Sequence, residues 1–186
     1  LPDPTGNHFT TTGLAITDQM LDTPENSFCT LNPLFKGTSP AVTFTEGNLK
    51  IVATSTPNST VPSSMMFNSG KWYCEVRNTG ATGTNESYLG VISDKHPNRN
   101  DNFYNTESYT FHVAGNAQGN GTAYTTLASS TYNSVGDVAQ FKLDMDSSPP
   151  TIGIAVNGGE YNTFEFTENT GSTATTWGFQ ARTGSG

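Results

Sequence analysis

Apolar and polar residues alternate along much of this chain, with a period of two rather than 3.6. In AQFKLDM, residues 139–145, Phe141, Leu143 and Met145 fall on one side, with Gln140, Lys142 and Asp144 on the other. In SYTFHV, residues 108–113, Tyr109, Phe111 and Val113 oppose Thr110 and His112. Successive side chains of a strand point to opposite faces, so such runs predict half-buried strands. Further strand-like runs cover 41–44, 49–53, 72–77, 87–92, 151–156, 163–166 and 176–181. No stretch of eleven or more residues keeps the helical i, i+3, i+4, i+7 pattern without Gly or Pro. Many short strands with frequent turn residues predict an all-β fold, a sandwich or a barrel.

The run SGKWYCEV, residues 69–76, is the most aromatic of these. Trp72, Cys74 and Val76 share one face, and Tyr73, Glu75 and Arg77 the other. An apolar face backed by an amphipathic one predicts a strand in the middle of a sheet, with Trp72 as interior filler. Period-two alternation also predicts that most sheets keep one wet face. TEGN, 45–48, reads as the turn of a hairpin, and TPNSTVPSS (56–64) and GNAQGNGT (115–122) as long polar loops. The Pro-, Gly- and Thr-rich start reads as an arm. The expected organisation is residues 1–39 as an N-terminal arm and lead-in segment, and 40–186 as one β-sandwich domain.

Composition narrows the classes of function. Hydrophobic residues are 33% and charged residues 13% of the 186, yet 11 Phe, 7 Tyr and 2 Trp suffice for a thin core. The net charge is −8, and the eight Lys and Arg form no stripe, so neither nucleic acid nor an anionic membrane surface is an expected partner. No apolar window is long enough to span a bilayer. The chain opens on Leu with no basic-then-apolar leader, which reads as processing or as a segment of something longer. Cys29 and Cys74 read as two buried free thiols or as one disulfide closing a long loop. His8, His96 and His112 have no ligand spacing and no CxxC exists, so neither metal nor cofactor is expected.

Four motifs then carry a family resemblance. SGKWYCEV resembles the signature strand of SPRY domains, and YLGVI (88–92) the strand that follows it. GDVAQFKLDMD (136–146) is similar to the family's Gly-Asp-Val run into a Leu-Asp-Met-Asp strand, and IGIAVNG (152–158) to its partner strand ending in Asn-Gly. The order and spacing match over about residues 40–181. SSPPT stands where the family has a short Asn-Gly-type turn, and WGFQAR (177–182) resembles the closing strand only loosely. The resemblance implies a concanavalin A-like, jelly-roll-type sandwich of two antiparallel sheets, with binding through loops at one rim and no catalysis. DTPENSFCTLNPL (22–34) followed by EGNLKI resembles the segment leading into SPRY-type modules of tailed-bacteriophage virion proteins. That implies a virion-exterior structural protein on a tail or capsid surface. Its expected partners are other virion proteins and a host-surface glycan or receptor, its expected state a symmetric homo-oligomer. The alternatives are a capsid decoration or collar protein with a docking role, and an intracellular SPRY protein-interaction adaptor.

Candidate chemistry is sparse. Concanavalin-like glucanases carry an E-x-D-x-x-E run, which is absent; Asp144 and Asp146 form only an i, i+2 pair. DNFYN (101–105) resembles part of the legume-lectin calcium loop, but Tyr109 stands where a further Asp is needed. The richest recognition segment is DKHPNRNDNFY, 94–104. Its His96, Asn98, Arg99, Asp101, Phe103 and Tyr104 offer rings, amides and charges between two strands, and Tyr124 is a candidate for the same rim.

Overall fold

The computed structural model describes residues 28–35, 42–53, 59–80, 88–95, 108–112, 116–119, 122–126, 132–166 and 176–183. Its strands are β1 (Val42–Thr45), β2 (Lys50–Ala53), β3 (Ser59–Pro62), β4 (Lys71–Arg77), β5 (Tyr88–Ser93) and β6 (Ser108–His112). They continue as β7 (Asn116–Gly119), β8 (Thr122–Thr126), β9 (Val138–Asp144), β10 (Thr151–Val156), β11 (Asn162–Glu165) and β12 (Trp177–Thr183). A 3-10 turn, Pro33–Phe35, precedes them. All pairings are antiparallel. β1 and β2 form a hairpin, β11-β10-β9-β4 a four-stranded sheet, and β3-β12-β5-β6-β7-β8 a six-stranded sheet. The all-β, two-sheet expectation is met.

The alternation read from the sequence becomes the core. Phe141 and Leu143 of β9 are each 1% exposed and pair with Ile154 and Ile152 of β10, also buried. From the other sheet Leu89, Val91, Tyr109, Phe111 and Trp177 join the same cluster. Phe166 bridges the layers: its ring stacks on Tyr109 with centroids 4.4 Å apart and meets Trp177 at 4.7 Å. Each such side chain contributes about 1.5–3 kcal/mol by leaving water.

Gly90 sets how closely β5 and β6 approach. A Cβ there would stand 2.1 Å from the Tyr109 carbonyl oxygen and 2.9 Å from the Thr110 Cα, and the φ of +153° is one that L side chains rarely adopt.

The structure corrects four expectations. Segments 56–64 and 115–122, read as loops, contribute β3 and β7, with β8 starting at Thr122. Their Ser, Thr, Asn and Gly residues give no apolar alternation, yet ladder hydrogen bonds need no apolar side chain. β4 is an edge rather than a central strand among the described residues, with only β9 beside it. Trp72 is accordingly 41% exposed: it stacks on Phe67 at 3.9 Å and donates its indole N–H to the Ser69 carbonyl at 2.8 Å. The β12-β5-β6 part of the six-stranded sheet is buried on both faces, since Tyr88, Ile92, Thr110 and Gln180 are as inaccessible as Leu89 and Phe111 on the other face. Finally, both cysteines are free, and Cys29 is exposed rather than buried. Cys74 packs against the core, and burial pushes its thiol up to about 12.

Residues 30–32 tie the lead-in segment to the sandwich. Leu31 N–H donates to Asn48 O at 3.0 Å, Asn32 N–H to Pro62 O at 2.9 Å, and Ser64 N–H to Thr30 O at 2.7 Å.

Candidate binding surface

The outer face of the four-stranded sheet is the exposed, chemically varied surface among the described residues. Parity puts Lys71, Tyr73, Glu75 and Arg77 of β4 on it, beside Gln140, Lys142 and Asp144 of β9. Thr151 and Gly153 of β10 follow, then Thr163 and Glu165 of β11. Register aligns them in rows. Lys71, Asp144, Thr151 and Glu165 form one, and Tyr73, Lys142, Gly153 and Thr163 the next.

Each row is held by polar contacts. The Lys71 ammonium lies 2.9 Å from Asp144 Oδ2. The hydrogen bond and charge of that pair hold the Lys71 ammonium above its usual range and the Asp144 carboxyl below its own. The Tyr73 hydroxyl donates to Glu75 Oε1. Gln140 Nε2 donates to the Tyr73 hydroxyl at 3.0 Å and to Glu75 Oε1 at 3.3 Å. Donation to the Glu75 carboxylate pushes the Tyr73 phenol up to about 12. The Lys142 ammonium lies over the Tyr161 ring, 3.6 Å from its centroid. The Tyr161 ring packs against Gly153 in the second row, 3.3 Å from where a Cβ would stand, and a shallow depression of about 350 Å³ opens beside it.

The motif carboxylates, by contrast, are committed to the backbone. Asp146 Oδ1 accepts the Gly70 N–H at 2.7 Å, and Asp144 Oδ1 accepts the N–H groups of Asp146 and Ser147, each at 3.0 Å. Asp137 accepts from Asn157 Nδ2 at 2.9 Å and from the N–H groups of Ser134 and Asn133 at 2.8 and 3.0 Å. Those bonds hold its carboxyl below the usual carboxylate range. Asn157, at φ +52°, returns Oδ1 to the Val138 N–H at 2.9 Å. Among the described residues no group of three or more His, Cys, Asp or Glu is placed to hold a metal ion.

Of the residues singled out from sequence, His96, Asn98, Arg99, Asp101, Phe103 and Tyr104 lie outside the described residues. Tyr124 is placed by its backbone in β8. The chain leaves β5 at Ser93 and re-enters β6 at Ser108, and Gly119 of β7 pairs with Tyr109, next to Ser108. Gly119 of β7 and its partner Thr122 of β8 therefore sit at the end of the sheet where β5 stops and β6 begins. Where that connection begins, Asp94 N–H donates to Thr176 O at 3.1 Å and Lys95 N–H to Ser93 Oγ at 3.1 Å. Sequence reasoning missed Lys71, Tyr73, Lys142, Gly153 and Thr163 as a group. The signal was the polar half of the alternation in KWYCEVR and AQFKLDM.

The SPRY domain of human HERC1 is similar to this structure with a TM-score of 0.65 and 19% identity, over 84% of this chain and 91% of that one. The fold is SPRY-like. The PSpry domain of TRIM65 matches with a TM-score of 0.54 and 16% identity, over 85% of this chain and 92% of that one. A human SPRY domain matches with 0.56 and 10%, over 86% and 92%. No protein-family model matches the chain, and no curated protein does. In the SPRY-like frame the sequence motifs acquire structural roles: Asp146 anchors the start of the GKWY strand, and Asp137 with Asn157 clasps the ends of β9 and β10.

Proposed function

We propose that this SPRY-like chain is a non-catalytic structural protein of a tailed-bacteriophage virion. On this reading it is exposed on the tail or capsid surface and contributes to host attachment by holding a glycan or receptor. The observation that carries the binding role is the division of labour among its polar groups. Asp137, Asp144 and Asp146 are spent on turns and on the Lys71 pair, while an ordered set of rings and charges faces solvent on the outer sheet. That arrangement suits recognition rather than bond breaking. The virion setting rests on the likeness of 22–34 to phage lead-in segments and on the acidic, Ser-, Thr- and Asn-rich composition.

The test is adsorption. A particle carrying Arg99→Ala with Tyr104→Ala should bind host cells markedly less than the wild type, with unchanged particle assembly. Undiminished adsorption removes the 94–104 segment from the reading.

A second reading, a protein-interaction adaptor inside a cell, is favoured by the SPRY domains of human proteins among the similar structures. Locating the chain in purified particles separates the two. Its presence at fixed copy number supports the first, its absence the second.

A further inference from the structure

We propose that the depression on the outer face of the four-stranded sheet is a groove for an acidic saccharide. The sugar ring lies against Tyr73 and its carboxylate rests on the Lys142 ammonium. This deepens the reading of the chain as a binding module and rests on it.

The shape is the first argument. Gly153 lies between Lys142 on one neighbouring strand and Thr163 on the other, and the Tyr161 ring that packs against it forms one side of the depression beneath Lys142. The depression is lined further by Lys71, Trp72, Tyr73, Asp144 and Thr151. It is wide and shallow, without the deep apolar pocket that takes a peptide's anchoring side chain. A flat ring with hydroxyls around its rim fits such a floor, and the Thr151 and Thr163 hydroxyls serve as partners for it.

The second argument is preorganisation. The Tyr73 side chain is half exposed, yet its hydroxyl is tied to Glu75 and Gln140, and Gln140 Oε1 in turn accepts the Gly158 N–H at 2.8 Å. The ring is thus held in solvent before any ligand arrives, so little freedom is lost on binding. The apolar C–H face of a sugar packs on such a ring.

The third argument is charge. The chain carries −8 overall with eight Lys and Arg, yet two of the eight line this groove. Asp144 is neutralised by Lys71. Lys142 makes no ion pair among the described residues, and its ammonium is held over the Tyr161 ring. Glu75 is turned to Tyr73, and Glu165 lies on the far strand beside Thr151. A ligand carboxylate is therefore directed to Lys142, where it completes a cation that has only a ring beneath it.

The experiment is a calorimetric or NMR titration of the full chain with trigalacturonate and with its carboxyl-reduced counterpart. Trigalacturonate should bind saturably, with Kd about millimolar or tighter and weaker at high salt, and the reduced sugar should bind about tenfold or more weakly. Lys142→Ala and Tyr73→Ala should each weaken trigalacturonate about tenfold, with Lys142→Arg retaining most of the affinity. Lys142→Gln, which removes the charge and keeps most of the side chain, is a second variant should Tyr73→Ala unfold. Absence of saturable binding, equal affinity for the reduced sugar, or wild-type affinity in the variants overturns the proposal. If the groove fails while cell adsorption persists, the groove alone falls. If adsorption is absent and trigalacturonate still binds, host attachment alone falls.

Discussion

Asp146 Oδ1 accepts the Gly70 amide at 2.7 Å, joining two sequence motifs that lie 76 residues apart. The Met145 N–H returns the contact by donating to the Gly70 carbonyl at 3.0 Å. Gly70 sits at φ +88°, and a Cβ there would come within 3.1 Å of the Trp72 indole nitrogen. The start of β4 is thus positioned by the end of β9, and the edge strand that carries Lys71 and Tyr73 depends on it.

Asp146→Ala should therefore destabilise the chain by about 1 kcal/mol, the size of one exposed hydrogen bond to a charged acceptor. Urea unfolding measures it. A loss no larger than that of a substitution at exposed Ser148 would remove Asp146 from the fold's supports.

Phe141→Ala and Trp72→Ala should separate interior from edge. Phe141 is 1% exposed, and truncation should cost about 3–5 kcal/mol. Trp72 is 41% exposed, with the Phe67 stack as its main contact, and should cost less, about 2 kcal/mol. Equal losses in urea unfolding would contradict the edge placement of β4.

Gly90→Ala should be more damaging than its single methyl group suggests. The added carbon meets backbone atoms of Tyr109 and Thr110, which cannot move without parting β5 from β6. A loss above about 3 kcal/mol, or failure to accumulate soluble protein, is expected. Thermal unfolding within a degree or two of the wild type would refute this.

Stability should fall at both ends of the pH scale. Asp137 and Asp144 have carboxyls held below the ordinary value, Asp137 by Asn157 and Asp144 by Lys71. Below about pH 4 the unfolded chain takes up protons first, so the stability these groups confer at neutral pH drains as the pH drops through their folded values. Asp137→Asn and Asp144→Asn should each flatten that acid limb. At the other end, the Cys74 thiol is pushed up to about 12 by burial. Its contribution is complete below about pH 8.5, where the unfolded thiol begins to ionise, and is lost as the pH climbs toward the folded value. Cys74→Ala should flatten the alkaline limb, read from urea midpoints across pH. Alkylation adds a check: Cys29 should label fast and Cys74 only on unfolding.

The core was legible because burial imposes a period on the sequence. Phe141 and Leu143 alternate with Gln140 and Lys142, and the structure buries the first pair and exposes Lys142. The strands STVP and NAQG were not legible, because an edge-proximal or both-sides-covered strand need not alternate in hydrophobicity. Neither was the position of β4, since periodicity assigns faces and leaves neighbours open. The groove was the least legible feature. Tyr73, Lys142, Gly153 and Thr163 become a row only through the registers of three ladders, and register is a property of pairs of strands.

The bonds from Thr30, Leu31 and Asn32 to Ser64, Asn48 and Pro62 have a mechanical consequence. Tension applied to the chain ahead of residue 30 is delivered at once to β3 and to the β1–β2 turn, rather than to the sheet that carries the groove. A module tethered from that side would give way first at its tether, and the four-stranded sheet would outlast the pull.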